Sequence, residues 1–276
     1  MPMDYQTFQP HSDLESLVKC FWTLEVLSEK NPQKQRIIPD GCIEMIFILG
    51  EDVKRYTSRD EFIIQPRAMV LGQITEPFFV EPTGHVNSFA TRFYPYGFAN
   101  VISTPIKKLA NKETTIDLLF GQKDSQELTQ KIILAKDTKE RIEIIEGFLL
   151  GRLNDKATID SIVKRTVDIM VLTKGGKPIN TILKDDLSKR RQLERKFIKQ
   201  IGISPKQLGK VIRLQSALKM LLNQQESESF TKIAYESEYY DQAHFIKDFK
   251  EFTGTTPKEF LADGQMALSS LLYKKN

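Results

Sequence analysis

The sequence predicts a two-domain α+β fold, with a small N-terminal β-barrel followed by helices and a C-terminal all-α domain. Two observations predict this division. The N-terminal half has short runs rich in Val, Ile and Phe between turn residues, whereas apolar residues in the C-terminal half recur at helical spacing. A helical segment also repeats 52 residues apart, from Phe197 to Phe249. The C-terminal domain is therefore expected to hold two similar units.

The balance of basic and acidic residues also changes between the two halves of the chain. Residues 1–155 carry 18 basic and 22 acidic side chains, whereas residues 156–276 carry 22 basic and 14 acidic ones. A basic half beside a mildly acidic half is typical of a nucleic-acid-binding domain joined to a domain with another task. We therefore predict domains at 1–155 and 156–263, followed by a C-terminal tail at 264–276.

The N-terminal domain is predicted to contain six short strands and three helices. The strands are expected at 20–27, 42–49, 62–64, 69–72, 78–80 and 86–94. Proline, glycine and aspartate separate them, as at Pro39 to Gly41 and at Gly84, and this pattern favours a small sandwich or barrel. The helices are expected at 115–120, 125–135 and 138–153.

The first helical unit begins with a short apolar face formed by Ile179, Ile182 and Leu183. Ser188 is expected to cap a second, strongly basic helix that continues to about Ile201. Its buried stripe is predicted to consist of Leu193, Phe197 and Ile201. A glycine and a Ser-Pro pair then end this helix and begin the next, which we expect to be one long helix over 204–223. Its apolar residues, expected to contact both units, are Leu208, Val211, Ile212, Leu214, Leu218 and Leu221.

The second unit follows the same plan. A short helix containing Ile233 ends near Ser237, and Asp241 opens a second helix. The buried stripe of that helix is predicted to be Phe245, Phe249 and Phe252. Gly254 and the pair Thr256-Pro257 again end one helix and begin another. A short helix packed across a longer polar one is the geometry of a helix-turn-helix, whose second helix enters the major groove of DNA.

Both units resemble the helix-turn-helix repeats of the AraC/XylS family of bacterial transcription regulators. The resemblance is carried by DQAHFIKDFKEFTGTTPKEF in the second unit and by RQLERKF and GISPKQLGKVIRLQSALKML in the first. The family usually has Gly where this chain has Glu238, and Ser is frequent where it has Ala243. Lys184 and Leu187 also stand near positions that the family fills with Ala and Gly.

The N-terminal half resembles a cupin-like domain of unknown function found in one branch of that family. The segments that carry the resemblance are IPDGCIEMIFILG, VLGQITEPFFVEPTG and FATRFYPYGFANVI. The resemblance implies a role in effector binding or dimerisation without naming a ligand.

The resemblance also implies which side chains contact DNA. Residues expected to contact bases are Arg191, Glu194, Arg195, Gln242, Ala243, His244 and Lys247. Basic residues expected to neutralise phosphates are Lys189, Arg190, Lys196, Lys199 and Lys210. For any one arginine, a phosphate contact or a solvated side chain is the alternative. The expected partner is double-stranded promoter DNA, with RNA polymerase and a second copy of the chain as further candidates.

Two functions remain open for the N-terminal domain: it senses a small molecule, or it only dimerises or binds a protein. Candidate effector-binding residues are Trp22, Glu44, Phe79, Phe89 and Arg92, with ordinary core packing as the alternative. An enzyme is not expected, because three histidines without a His-x-His pair do not supply a metal site, and no cofactor motif is present. No leader and no membrane-length apolar run are visible, so a cytoplasmic protein is expected.

Overall fold

The computed structural model describes residues 3–28, 33–153, 159–184, 186–223 and 229–262. The domain boundary expected near residue 155, the residue Asp185 and the tail at 264–276 lie outside these residues. Within the described ranges, no helix is long and apolar enough to cross a membrane.

The strands of the N-terminal domain form two antiparallel sheets. They are β1 (Met3–Phe8), β2 (Val18–Val26), β3 (Gln35–Ile37), β4 (Ile43–Ile48), β5 (Val53–Tyr56), β6 (Phe62–Ile64), β7 (Ala68–Leu71), β8 (Phe78–Pro82), β9 (Val86–Phe93) and β10 (Glu113–Thr115). The first sheet has the order β1-β2-β9-β4-β7-β10, and the second has the order β3-β8-β5-β6. All six predicted strands are present, and the expected barrel takes the form of two facing sheets.

Each face of the six-stranded sheet is buried against a different layer. Because successive side chains in a strand point to opposite faces, Phe89 and Phe93 lie on one face and Ala90 lies on the other. The phenylalanine face packs on α1 (Ile116–Phe120), α2 (Gln122–Leu134) and α3 (Thr138–Leu150). The opposite face packs on the four-stranded sheet, with Ile46 and Met69 against Phe78 and Val80. The domain is thus a three-layer structure in which the larger sheet is the middle layer.

Seven helices of the C-terminal domain fall within the described residues. They are α4 (Ser161–Leu172), α5 (Ile179–Ile182), α6 (Leu187–Gln200), α7 (Pro205–Leu222), α8 (Phe230–Glu236), α9 (Gln242–Thr253) and α10 (Pro257–Ala262). We call α5 with α6 the first unit and α8 with α9 the second unit. The long α7 is as predicted: Leu208 and Ile212 pack with the first unit, and Val211, Leu214, Leu218 and Leu221 pack with the second.

One predicted cap is wrong. Asp186, rather than Ser188, caps α6: its Oδ1 atom accepts from the backbone N–H groups of Ser188 and Lys189 at 3.0 and 3.1 Å. These contacts satisfy donors that the first helical turn leaves without a partner. The side-chain hydrogen bonds from Lys189 and Ser188 hold the pKa of Asp186 well below its usual range. The helix therefore begins one residue before the predicted cap.

The N-terminal domain is docked on both units of the C-terminal domain. Tyr96 lies in the apolar cluster of Leu193 and Phe197, and Ile38 lies in that of Phe245 and Phe249. Polar contacts cross the same boundary. Gln215 Nε2 donates to the Pro39 carbonyl oxygen at 2.6 Å, and Arg36 Nη1 donates to Thr255 Oγ1 at 3.0 Å. The β3–β4 loop (residues 38–42) contacts α7 through the Pro39 carbonyl.

Candidate nucleic-acid interface and N-terminal cavity

Helix α6 presents a strongly basic outer face. It carries six basic side chains and one acidic side chain, while Leu193 and Phe197 are fully buried beneath it. Five of the predicted DNA contacts on this helix are exposed: Lys189, Arg190, Arg191, Arg195 and Lys199. Glu194 lies beside them, half-buried. This face can contact both base edges and phosphates.

Three basic residues of α6 are held by protein partners. Lys189 Nζ lies 2.9 Å from Asp186 Oδ2, within the cap of the same helix. Arg190 Nη1 donates to Asn180 Oδ1 at 2.9 Å, which ties α6 to the short helix in front of it. Lys196 Nζ lies 2.5 Å from a carboxylate oxygen of Asp160, the residue that caps α4. Arg190 is nevertheless exposed, whereas Lys196 is half-buried. Lys196 therefore faces α4 rather than the open side of the helix.

Helix α9 offers a nearly neutral face of the same shape. It carries two basic and two acidic side chains, over a buried stripe of Phe245, Phe249 and Phe252. Ala243 and Lys247 are exposed, and Gln242 and His244 are half-buried. The Gln242 side chain accepts from Thr231 Oγ1 at 2.7 Å, a link to the preceding helix like the one Arg190 makes.

His244 is packed as well as partly exposed. Its ring lies edge-on to Tyr239 with a centroid separation of 5.4 Å, and its Nε2 atom is 3.5 Å from Asp248 Oδ2. An imidazole held between an aromatic ring and a carboxylate has little freedom to reach a base. Ala243 and Lys247 are therefore the more accessible of the four predicted contacts on α9.

Lys210 occupies a different environment from the one predicted. Its Nζ atom lies 3.1 Å from the buried Asp248 and 2.9 Å from Glu251, so it connects α7 to α9. Burial lowers the pKa of Lys210, but hydrogen bonds to Glu251 and Asp248 outweigh burial and raise it. The charge of Lys210 thus faces two carboxylates of its own chain, which leaves it poorly placed to neutralise a phosphate.

Each unit turns through a left-handed residue that is not glycine. Lys184 has φ +54° between α5 and α6, and Glu238 has φ +63° between α8 and α9. A side chain with a Cβ atom is strained in this conformation, by roughly 1–2 kcal/mol. The resemblance predicts such a turn at Glu238, where glycine is usual, and the structure places the turn there.

A cavity of about 180 Å³ lies between the two sheets of the N-terminal domain. Its walls are mainly apolar. The apolar lining includes Ile37, Ile46, Ile48, Met69, Phe78 and Val80. Ile38, Asp40 and Cys42 of the β3–β4 loop close one side, so the loop that contacts α7 also forms part of the cavity wall.

The polar end of the cavity is built around Arg92. This buried guanidinium pairs with Asp40 through Nη2 and lies 3.3 Å from Glu44 Oε1 through Nη1. Trp22 Nε1 donates to the same Glu44 oxygen at 3.0 Å. Burial raises the pKa of Glu44 to about 7, and burial raises the pKa of the neighbouring Tyr5 to about 12.

Three of the five predicted effector residues meet here, and two do not. Trp22, Glu44 and Arg92 line the cavity, whereas Phe79 and Phe89 do not. Phe89 points to the helical side of its sheet, where it stacks on Phe21 and Phe47. Phe79 alternates with the cavity-lining Phe78 and Val80, and its ring lies under the Arg36 guanidinium.

Sequence reasoning missed Tyr5 and Asp40, which complete the polar end. Asp40 lies in the segment Pro39 to Gly41, whose composition predicted only a turn. That composition did not indicate that Asp40 pairs with Arg92, 52 residues later. Within the described part of the chain, no cluster of three or more His, Cys, Asp or Glu side chains could hold a metal ion.

Two parts of the chain match known protein families. Residues 6–115 match a family described as a domain of unknown function (DUF6597), and residues 188–263 match a helix-turn-helix domain. Among solved structures, the chain is similar to ToxT from Vibrio cholerae, at 14% identity and a TM-score of 0.49, over 90% of this chain and 99% of that chain. A ToxT structure from Vibrio cholerae O395 bound to (E)-4-(8-methylnaphthalen-1-yl)but-3-enoic acid gives 14% identity and a TM-score of 0.48, over 88% and 98%. No curated protein sequence matches the chain.

Proposed function

We propose that this chain is an AraC-type DNA-binding transcription regulator that reads two adjacent major-groove segments, and that a small molecule in its N-terminal cavity modulates DNA binding. The matches to DUF6597 at residues 6–115 and to a helix-turn-helix domain at residues 188–263 support this proposal. The observation that carries the first part is the repeated design of the two units. Each exposes one helix over a buried aromatic stripe, and the rigid α7 joins them.

The length of α7 suits this arrangement. Its 18 residues span about 27 Å at the usual helical rise. Consecutive major-groove segments on one face of B-DNA lie roughly 34 Å apart. A helix of this length, with one unit packed towards each end, supports simultaneous docking of α6 and α9 on one face of the duplex.

The accessible residues divide into two kinds of contact. We assign base contacts first to Arg191 and Arg195 on α6 and to Lys247 on α9, because these side chains are exposed. Arginine can bind both acceptors of guanine in the major groove. We assign phosphate contacts first to the exposed Lys199 and next to Lys189, which is exposed but pairs with Asp186. Lys196 and Lys210 act mainly within the protein.

Modulation would pass through the β3–β4 loop. Ile38, Asp40 and Cys42 line the cavity, and Ile38 also packs in the apolar cluster of the second unit. A ligand that moves Ile38 must therefore displace a residue packed in the apolar cluster of α7 and α9. If the loop takes one position when the DNA-binding domain is free and another when it is bound to DNA, the ligand contacts differ between these two states. Such a difference in ligand affinity is what couples ligand binding to DNA binding.

DNA reading is tested by mixing the full chain with genomic fragments and sequencing those recovered. We expect one recurrent pattern with two conserved blocks about one helical turn, roughly 10 base pairs, apart. Recovery of fragments without a shared sequence would contradict specific reading.

Modulation is tested by a thermal-shift screen of the full chain against small metabolites. The control is Ser88→Phe, which fills the cavity because Ser88 lines it. A ligand that stabilises the native chain and not this variant binds in the cavity.

Gln215→Met, which removes the hydrogen bond to Pro39, should keep ligand binding and weaken the ligand's effect on DNA affinity.

An edge strand favours the second candidate, an N-terminal domain that only dimerises. Strand β6 lies at the edge of its sheet, and its side chains Phe62, Ile63 and Ile64 are 46%, 48% and 49% exposed. Exposed apolar edges are prone to pair with another chain. If this candidate holds, mass measured by light scattering should rise with concentration, Ile63→Lys should abolish the rise, and no metabolite should stabilise the chain.

A further inference from the structure

The charged groups of the cavity define a ligand class. We infer that the cavity binds a lipophilic amine, with an apolar body between the two sheets and a protonated amino group that Glu44 accepts. This inference rests on the proposal that the cavity is the effector site.

The walls require an apolar body. Side chains such as Ile46, Met69 and Val80 line the space from both sheets. Apolar ligand surface buried between these side chains is removed from water, which favours binding. A polar ligand body would lose its hydration without gaining hydrogen bonds from these walls.

Carboxylates of the chain itself already match the positive charge at the polar end. Arg92 directs its donors to Asp40, Glu44 and the Tyr5 hydroxyl, so its positive charge is already matched. Two carboxylates surround this single guanidinium. Lys19 also acts on Glu44, but it is exposed and does not line the cavity. When Glu44 is ionised, the groups that line the polar end are thus two carboxylates and one guanidinium, which favours a cation over an anion.

One oxygen of Glu44 is placed to accept from a ligand. Among the described residues, the contacts from Trp22 and Arg92 both reach Oε1. The second oxygen, Oε2, is left to receive a further donor. A protonated amine can supply that donor together with the compensating charge. A carboxylate ligand would instead lie against the Glu44 carboxylate and repel it.

Burial brings the pKa of Glu44 close to neutral pH, and the neighbouring Trp22 and Lys19 act against that rise. The titratable and charged groups around it are Tyr5, Lys19, Cys20, Asp40, Cys42 and Arg92. Burial raises the pKa of Cys42 to about 11 and that of Tyr5 to about 12, so both stay neutral at pH 7. Because burial raises the pKa of Glu44 to about 7, its ionised fraction grows as pH rises through 7. Amine binding should strengthen over the same range.

Three probes with one chain length and different head groups test the ligand class: hexylammonium, 1-hexanol and hexanoate, titrated calorimetrically into the full chain. Hexylammonium should bind most tightly and hexanoate least. Glu44→Gln should weaken hexylammonium about tenfold, the scale of one hydrogen bond between charged groups, and change hexanol affinity by less than about twofold. Glu25→Gln is the matched control, because Glu25 is an exposed carboxylate on the same sheet, outside the cavity.

The outcomes separate the ligand class from the site itself. Tighter binding of hexanoate than of hexylammonium, or unchanged amine binding in Glu44→Gln, overturns the amine assignment. If hexanol and hexanoate bind and Ser88→Phe abolishes their binding, the cavity remains a ligand site of another class. If none of the three probes binds, the amine assignment and the effector site are both overturned, while DNA reading by the C-terminal domain is unaffected.

Discussion

The two helix-turn-helix units share a backbone plan and differ in charge. Helix α6 carries six basic side chains against one acidic, and helix α9 carries two against two. Ser204 caps α7 and Thr256 caps α10, each in a capping box formed with the residue three positions later. The fold therefore depends on residues that both units retain, while the strength of the electrostatic attraction to DNA depends on residues that they do not.

Equivalent positions show how this difference arises. Lys196 in α6 corresponds to Asp248 in α9, 52 residues later. Lys196 pairs with Asp160 at the beginning of α4, whereas Asp248 pairs with Lys210 of α7. Lys199 is exposed, and its equivalent Glu251 contacts Lys210. In the second unit, the charged side chains of α9 thus form ion pairs that hold α9 on α7. In the first unit, more of the charged side chains of α6 are exposed to solvent.

Removing the Lys210 charge should have the largest effect on stability. Lys210→Met leaves the Asp248 carboxylate, 3% exposed, without its lysine partner, and should cost about 2–4 kcal/mol of unfolding free energy. The equivalent change in the first unit, Lys196→Met, should cost about 0.5–1 kcal/mol, because that ion pair is more exposed. Urea denaturation measures both, with the exposed Lys206→Met as control.

The same variant separates a structural role from a phosphate contact. If Lys210 acts within the protein, the slope of log K for DNA against log salt stays unchanged in Lys210→Met. A slope lower by about 1 would mean that Lys210 neutralises a phosphate after all.

Each unit is expected to read the bases of one half-site of the operator. Arg195→Ala is expected to relax base preference in one half-site and Lys247→Ala in the other, each at a cost of about 1–3 kcal/mol on the native operator. Binding to operators with single base-pair changes measures this, and Lys139→Ala, on the distant α3, is the control. Equal weakening on every sequence would identify both residues as phosphate contacts.

The charge difference predicts a smaller effect on salt dependence. Lys199→Ala on α6 should lower the slope of log K for DNA against log salt concentration by about 1, because one phosphate is no longer neutralised by a lysine. Glu251→Gln, at the equivalent position of α9, should leave the slope unchanged, since Glu251 pairs with Lys210. Anisotropy titrations over a range of salt concentrations measure both. A larger change in Glu251→Gln than in Lys199→Ala would reverse the assigned roles of the two units.

Local signals were sufficient to predict the C-terminal units. Glycine at 202 and 254, each followed by a Ser-Pro or Thr-Pro pair, marks helix ends through backbone chemistry that acts within a few residues. Helix α4 went unpredicted although Val163, Val167 and Met170 have helical spacing and are buried. That signal was present in the sequence and could have been used.

The polar end of the cavity could not be predicted in the same way. Phe89 and Arg92 lie three residues apart on one strand and point to opposite faces. Which face encloses a cavity depends on what the second sheet places opposite, and this is a long-range property. The pairing of Arg92 with Asp40 likewise depends on tertiary packing, so turn composition alone gave no indication of it.

The smallest expected effect concerns the left-handed turn residue of each unit. Replacing Lys184 or Glu238 by glycine relieves strain at positive φ, although glycine also loses more entropy on folding. The net gain should be about 0.5–1 kcal/mol for Lys184→Gly. It should be smaller for Glu238→Gly, because the Glu238 side chain packs against Gly176, where an added Cβ would lie 2.4 Å from the Glu238 Cβ. Gln126→Gly, at an exposed position in the interior of helix α2, is the control and should destabilise by about 1 kcal/mol. A loss of stability in Lys184→Gly would show that its turn is stabilised by its side chain rather than strained by it.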